Sequence, residues 1–133
     1  GLLYVVAELS SEVLVYRDGE LQQRISTLPP IFSGSNTASD LHFSKDGSYL
    51  YCSNRGHDSV AIFRVNHSLR RFEYCSTDKE PRSFVLSPDG LWMLVANASS
   101  NTITIHRRNQ VNGSVGEKTH RLAVREPVCL TWM

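Results

Sequence analysis

The 133-residue sequence predicts an all-β fold assembled from four-stranded antiparallel β-propeller blades. The first observation is a repeat, because residues 39–54 align without a gap with residues 82–97 and share a Ser-x-Asp-Gly turn and a closing Asn. The second is a further partial copy, because residues 4–16 match both 51–63 and 94–106. The third is the period, because the copies lie 43 to 47 residues apart, which is typical of one propeller blade.

Within each copy, short apolar runs alternate with turn signals, and no amphipathic helical period competes with them. Strand A is followed by Lys-Asp-Gly or Pro-Asp-Gly, in which glycine accepts the positive φ of a tight hairpin. Strand B is the most apolar run, a polar loop leads to strand C, and strand D is the more polar outer strand. The predicted strands are A at 41–43 and 84–86, B at 49–53 and 92–96, C at 59–65 and 102–107, and D near 71–75 and 120–124.

This assignment divides the chain into a partial blade, two full blades and one further strand. Strands B to D of the partial blade occupy 1–38, the full blades occupy 39–80 and 81–125, and 126–133 contribute strand A of the next or closing blade, over 128–132. Propellers close with about four to eight blades. We therefore expect an incomplete segment of a larger propeller, whose open strand edges invite self-association if the chain exists alone.

The composition excludes several classes of function. Fourteen basic residues against thirteen acidic ones give a net charge of +1, so we expect neither a nucleic acid nor a membrane as a partner. The three cysteines form no CxxC pair and the five histidines are scattered, so we expect no metal, no cofactor and a reducing, cytoplasmic location. Neither HExxH, nor G-x-S-x-G, nor a Gly-rich phosphate loop occurs.

The aligned repeats single out two charged residues. At one equivalent position in the loop between strands B and C, the three copies carry Glu8, Arg55 and Ala98. Because the third copy has alanine, the fold does not require a charge there. A polar site at the mouth of the central channel would use Arg55 to bind an anionic group and Glu8 as a base or orienting group. An ion pair between neighbouring blades is the structural alternative, and such a pair is weak if exposed.

Arg82, His57 and Asn54 are the further candidates for contact with a substrate. Arg82 follows a proline in the loop between strand D and the next strand A, on the face of the first two charged residues, where it adds positive potential to the channel. His57 and Asp58 form either a catalytic pair or a hydrogen bond that braces the loop. Asn54 recurs as Asn97, which favours a turn-capping role.

Five segments carry a family resemblance. They are residues 4–13, 40–47, 51–63, 81–84 and 127–132. In this order they resemble the C-terminal portion of the seven-bladed β-propeller lactonase family, which includes propeller-type 6-phosphogluconolactonases and fungal carboxymuconate cyclases. The resemblance implies that Glu8, in Glu-Leu-Ser-Ser, and Arg55, in Asn-Arg-Gly-His, match active-site residues of the family. A His-bearing motif of the family's N-terminal half has no match in this chain.

The resemblance implies a hydrolase that opens a sugar lactone such as 6-phosphogluconolactone, in the pentose phosphate pathway of carbohydrate metabolism, without a metal ion. Its ligand would be a small anionic lactone or a sugar acid. Glu8 would activate or orient water, and Arg55 would bind the lactone carbonyl or an anionic substituent. Three alternatives stay open: a muconate-type lactonizing cyclase, a non-catalytic propeller that binds a partner through its channel face, and a chain that is inactive by itself.

Overall fold

The computed structural model describes residues 1–133 and is built from eleven β-strands joined by turns and loops. It contains no helix of the length and hydropathy needed to cross a membrane. The strands are β1 (Leu2–Ala7), β2 (Glu12–Arg17), β3 (Glu20–Ser26), β4 (Thr37–Phe43), β5 (Tyr49–Arg55), β6 (Ser59–Asn66), β7 (Ser68–Ser76), β8 (Pro81–Leu86), β9 (Trp92–Asn97), β10 (Thr102–Arg108) and β11 (Val115–Ala123).

The strands form three antiparallel sheets, in which each strand pairs only with its neighbours along the chain. The first sheet contains β1 to β3, the second β4 to β7, and the third β8 to β11. Consecutive antiparallel strands need only short connections, which fits the turn signals between the apolar runs. The predicted fold class, all-β with four-stranded antiparallel sheets, is confirmed.

Several strands begin earlier in the structure than the sequence predicted. β4 begins at Thr37 instead of 41, β8 begins at Pro81 instead of 84, and β11 begins at Val115 although strand D was expected near 120–124. Residues 124–133 form no strand in this structure, and the assignment of 128–132 to strand A of the next or closing blade stays a prediction. A strand is held by hydrogen bonds to a neighbouring strand, and no strand of the chain lies beside this segment.

The second sheet is packed on both of its faces. Every residue from Tyr49 to Asn54 in β5 is buried, and strand alternation sends successive side chains to opposite faces. The cluster shared with the first sheet contains Val13, Val15, Ala38, Leu50, Cys52, Ala61, Phe63 and Leu69. The cluster shared with the third sheet contains Tyr49, Tyr51, Val60, Ile62, Cys75, Phe84, Met93, Val95 and Val115. The two clusters hold the three sheets face to face.

The Ser-x-Asp-Gly turn has the same geometry in the second and third sheets. Ser44 Oγ donates a hydrogen bond to Asp46 Oδ1 at 2.6 Å, and Ser87 Oγ donates to Asp89 Oδ1 at 2.5 Å. The glycine after each aspartate has a φ of +73°, which glycine adopts without steric penalty. These serines, aspartates and glycines therefore serve the turn between strands A and B.

A buried chain of hydrogen bonds runs through the third sheet to the second. Asn97 Nδ2 donates to Thr104 Oγ1 at 3.1 Å, and this hydroxyl lies 3.0 Å from His106 Nε2. His106 Nδ1 lies 3.0 Å from the carbonyl oxygen of Gly116, which can only accept, so Nδ1 carries the proton. The Cys75 sulfur of the second sheet is 3.3 Å from Nδ1. Burial lowers the pKa of His106 and raises the pKa of Cys75 to about 12, so neither side chain is charged at neutral pH.

We expect His106 to make the stability of the protein depend on pH. Burial depresses its pKa below the ordinary value of 6.5, so the unfolded chain binds the proton more tightly and the free energy of unfolding falls as the pH drops below about 6.5. The fall should be smaller in His106→Gln, because glutamine does not titrate. Urea unfolding at about pH 7.5 and about pH 5.5 measures it. His120→Gln, at an exposed histidine, is the control, and an unchanged pH dependence in His106→Gln would contradict the expectation.

Candidate functional site

The residues that the repeat comparison singled out occupy equivalent positions in the three sheets. Glu8 directly follows β1, Arg55 is the last residue of β5, and Ala98 directly follows β9. The three turns that follow share a backbone, since each contains a residue with a φ between +53° and +55°. The three strand ends therefore lie at the same end of their sheets.

Glu8 and Arg55 form an ion pair between the first and second sheets. Arg55 Nη2 donates to Glu8 Oε1 at 2.6 Å and also lies 3.4 Å from the carbonyl oxygen of Ala38. The Arg55 side chain is 13% exposed, whereas the Glu8 side chain is 60% exposed. The arrangement presents a carboxylate to solvent and holds it against a mostly buried guanidinium.

The Arg55 guanidinium keeps donors that the protein does not use. Both of its hydrogen bonds involve Nη2, and Nε is buried without a hydrogen-bond partner. Buried donors in folded proteins are almost always paired. Nη1 also makes no hydrogen bond within the protein and, unlike Nε, is not fully buried, so it is the donor that a ligand can reach.

The start of β4 positions the two charged residues. Thr37 pairs with Arg55 in the β4–β5 ladder, and the N–H of Ala38 donates to the carbonyl oxygen of Glu8 at 3.0 Å. The Arg55 guanidinium therefore contacts both the backbone carbonyl of Ala38 and the carboxylate of Glu8. Sequence reasoning missed Ala38, because a small apolar residue carries no chemical signal.

Arg82 lies in β8, the first strand of the third sheet, apart from the ion pair. It occupies a register irregularity at the start of β8, its side chain is exposed and forms no ion pair, and its carbonyl oxygen accepts a hydrogen bond from Ser39 Oγ at 2.5 Å. Arg82 borders a cavity of about 520 Å³ that Glu80 and Ala98 also line. The structure therefore brings Glu8 and Arg55 together between the first and second sheets, whereas Arg82 lies in the third sheet.

Asn54 holds the loop between the first two sheets and has no atom left for a ligand. Its side chain is fully buried in β5. Oδ1 accepts from Thr27 Oγ1 at 2.7 Å and from Asn36 Nδ2 at 3.2 Å, while Nδ2 donates to the Thr27 carbonyl at 2.9 Å and to Ser59 Oγ at 3.3 Å. The bond to Ser59 spans the turn after β5, and Asn97 repeats it with Thr102 at 3.4 Å. The amide therefore braces this turn, as the recurrence of the residue suggested, and also holds the loop 27–36.

His57 and Asp58 do not bond to each other. His57 Nδ1 lies 2.6 Å from Ser59 Oγ, and its ring packs edge-on against two aromatic rings, those of Phe32 and Tyr74. Asp58 Oδ1 instead accepts from the backbone N–H groups of residues 56 and 80 at 3.1 and 3.0 Å. Burial lowers the pKa of His57. The catalytic His–Asp pair is not formed, whereas both side chains make hydrogen bonds that brace the loop, which is the other of the two predicted roles.

The loop 27–36 is the part of the site that sequence reasoning missed. It spans ten residues between β3 and β4, whereas only four residues, 77–80, join β7 to β8. Asn36 Oδ1 accepts from the N–H of His57 at 3.0 Å and Asn36 Nδ2 donates to Ser11 Oγ at 2.9 Å. The loop thus joins the turn after Glu8 to the turn after Arg55. The difference in connection length between the blades was the available signal.

Comparison with known proteins places the chain in a family. The family model described as "Lactonase, 7-bladed beta-propeller" matches residues 1–132. The chain belongs to this lactonase family. It is 31% identical to a 6-phosphogluconolactonase of Bacillus subtilis over 98% of this chain and 40% of that protein. It is 37% identical to an uncharacterized protein of Staphylococcus epidermidis over 96% of this chain and 40% of that protein.

A solved structure from the same lactonase family agrees with the fold. The periplasmic gluconolactonase PpgL of Pseudomonas aeruginosa superimposes with a TM-score of 0.91 at 34% identity, over 98% of this chain and 39% of that one. The resemblance of the sequence to the seven-bladed lactonases is thereby confirmed. The chain spans 40% of the length of the curated relatives cited above.

Gly56 offers a test of how the loop 27–36 supports this site. A Cβ on Gly56 would lie 2.1 Å from the carbonyl oxygen of Ser35, at a φ of +124°. We expect Gly56→Ala to destabilise the protein by about 2–4 kcal/mol, because the clash adds to the backbone strain. Gly47→Ala is the control, since its φ is +73° but no atom lies within 4 Å of its Cβ. Denaturant unfolding of both variants measures the difference, and equal losses would show that the loop contact is unimportant.

Proposed function

We propose that the protein of this chain hydrolyses a sugar lactone such as 6-phosphogluconolactone without a metal ion, and that Glu8 and Arg55 act in that reaction. The observation that carries the proposal is the Arg55 guanidinium, which Glu8 anchors through Nη2 at 2.6 Å while Nε and Nη1 make no hydrogen bond within the protein. The substrate class is supported by the relatives, which include a 6-phosphogluconolactonase and a gluconolactonase.

Hydrolysis of a lactone requires stabilisation of a developing oxyanion and removal of a proton from water. The free Nη1 N–H groups of Arg55 would bind the carbonyl oxygen and stabilise its negative charge as water adds to the carbonyl carbon. Glu8, exposed on one side, would accept the proton of that water. When the bond from the carbonyl carbon to the ring oxygen breaks, that oxygen takes the proton, and the product is the open-chain hydroxy acid.

Arg82 fits the proposal as a second cation. Its guanidinium is exposed and forms no ion pair, and its backbone is tied to the inner strand of the second sheet through Ser39. Arginine binds phosphate through parallel charge-assisted hydrogen bonds. We propose that Arg82 binds a phosphate group of the substrate while Arg55 binds the carbonyl.

The first test of this proposal concerns the ion pair. Arg55→Ala should lower kcat/KM for 6-phosphogluconolactone by about 10²–10³-fold, because the oxyanion loses its donors. Glu8→Gln should lower kcat by about 10²-fold, because the amide cannot accept a proton from water. Acid release above the spontaneous rate measures both. Arg125→Ala, at an exposed arginine without an ion pair, is the control. Full activity in Arg55→Ala would remove Arg55 from the mechanism.

The second test of this proposal concerns Arg82. Arg82→Ala should raise KM for 6-phosphogluconolactone by about tenfold, as expected for one lost charge-assisted contact, and should leave KM for unphosphorylated gluconolactone unchanged. Steady-state kinetics on the two substrates separate the contributions of phosphate and lactone. A parallel loss on both substrates would show that Arg82 does not recognise phosphate.

A further inference from the structure

A second cavity lies at the other end of the sheets from Glu8 and Arg55. It has a volume of about 620 Å³ and is formed between the second and third sheets by their two Ser-x-Asp-Gly turns. The length of β5, seven residues, separates the two ends by roughly 20 Å. All ten lining residues belong to segments 43–46, 86–90 and 108–110. Both sheets that form the cavity are therefore present in this chain.

A buried arginine that is in direct salt-bridge contact with no carboxylate forms part of the cavity wall. Arg108 is 5% exposed, and its guanidinium lies over the rings of Tyr49 and Tyr51. Nε donates to the Tyr51 hydroxyl at 2.6 Å and Nη1 donates to the carbonyl oxygen of Gly90 at 3.0 Å, whereas Nη2 makes no hydrogen bond within the protein. Arg108 forms no salt bridge. A buried charge that contacts only neutral partners is costly, so an anion in the cavity would offset that cost.

Comparison of the two blades shows that the fold does not require these cations. The N–H of Arg108 donates to the carbonyl oxygen of residue 91, and the N–H of Val65 makes the same contact with the carbonyl oxygen of residue 48 in the second sheet. Valine therefore satisfies the fold where the third sheet carries Arg108. Likewise, Lys45 lines the cavity from one turn, whereas the other turn has Pro88 at that position. The repeated blade fold therefore requires a cation at neither of these two positions.

Two carboxylates, together with the side chains of Ser87 and Gln110, are the other polar groups of the cavity. Asp46 and Asp89 each use Oδ1 to accept hydrogen bonds from their own turn, which leaves Oδ2 of each as an acceptor. Phe43 and Leu86 supply the apolar part of the lining. The cavity thus combines two cations with two acceptors, and the matching ligand carries both an anionic group and hydroxyl donors.

We propose that this cavity binds a small hydroxylated organic anion. Arg108 and Lys45 hold its carboxylate or phosphate group, and Asp46 and Asp89 accept hydrogen bonds from its hydroxyls. The proposal does not rest on the function proposed for Glu8 and Arg55, because the two sites share no residue.

Gluconate is the probe, since it carries one carboxylate and several hydroxyls. Isothermal titration calorimetry is done on the full chain in an Arg55→Ala background, so that the first site does not contribute. We expect saturable binding that Lys45→Pro, which installs the residue of the other turn, weakens by about tenfold. Lys79→Ala, at an exposed lysine in the loop 77–80, is the matched control and should bind as the background does. Arg108→Val, which installs the residue of the second sheet, should abolish binding.

Thermal unfolding shows whether each variant is folded, and Lys45→Pro decides the outcome if Arg108→Val is not. Absence of saturable binding of gluconate would overturn the proposal, as would equal affinity of Lys45→Pro and the background protein. Acetate supplies the carboxylate without hydroxyls. Binding of acetate as tight as that of gluconate would overturn the role of the two aspartates.

Discussion

The packing of the second sheet against both of its neighbours is the interaction on which the rest of the structure depends. β5 and β6 carry apolar side chains on both faces, and each face completes a separate cluster. A single sheet of this size has little stability by itself, whereas each buried large apolar side chain contributes about 1.5–3 kcal/mol. The ion pair between Glu8 and Arg55 spans two sheets, so its geometry follows from this packing.

The repeated blades act as an internal comparison, since the same backbone is built more than once with different side chains. The Ser-x-Asp-Gly turn keeps its residues and its hydrogen bonds in both full blades. The closing Asn of strand B keeps one contact in both full blades, because Asn54 Nδ2 donates to Ser59 Oγ and Asn97 Nδ2 donates to Thr102 Oγ1. Its other contacts differ, since Asn54 bonds to Thr27 in the preceding loop and Asn97 bonds to Thr104 within its own sheet. The longer connection before the second sheet supplies a partner that the shorter one does not.

The ion pair between Glu8 and Arg55 combines two electrostatic environments. Glu8 is mostly solvated and Arg55 is mostly buried, so the pair contributes less to stability than its 2.6 Å contact suggests. The larger effect of the pair is to fix the orientation of the Arg55 guanidinium. The carboxylate anchors one edge of the guanidinium, and the start of β4 supports the same edge through the carbonyl of Ala38. The other donors stay fixed in direction while unpaired, which is the preorganisation that oxyanion binding requires.

The sequence by itself determined the all-β fold, the inner strands of both full blades, and the pairing of Glu8 with Arg55 as one candidate site. These follow from local signals: period-two alternation, glycine turns and a repeat that aligns equivalent strand ends. The start of β11 escaped prediction because the outer strand is polar and exposed. The segment 128–132 has the pattern of a strand but no partner strand in this chain, so its assignment to the next or closing blade stays a prediction.

Only the tertiary structure decided what the loop 27–36 does, and therefore the roles of Asn54 and His57. Asn54 meets Thr27 across 27 residues of chain, and Asn36 meets His57 across 21. Such contacts depend on how two sheets are placed, and sheet placement is set by the summed burial of many side chains. No local pattern specifies which polar groups that burial brings within hydrogen-bond distance.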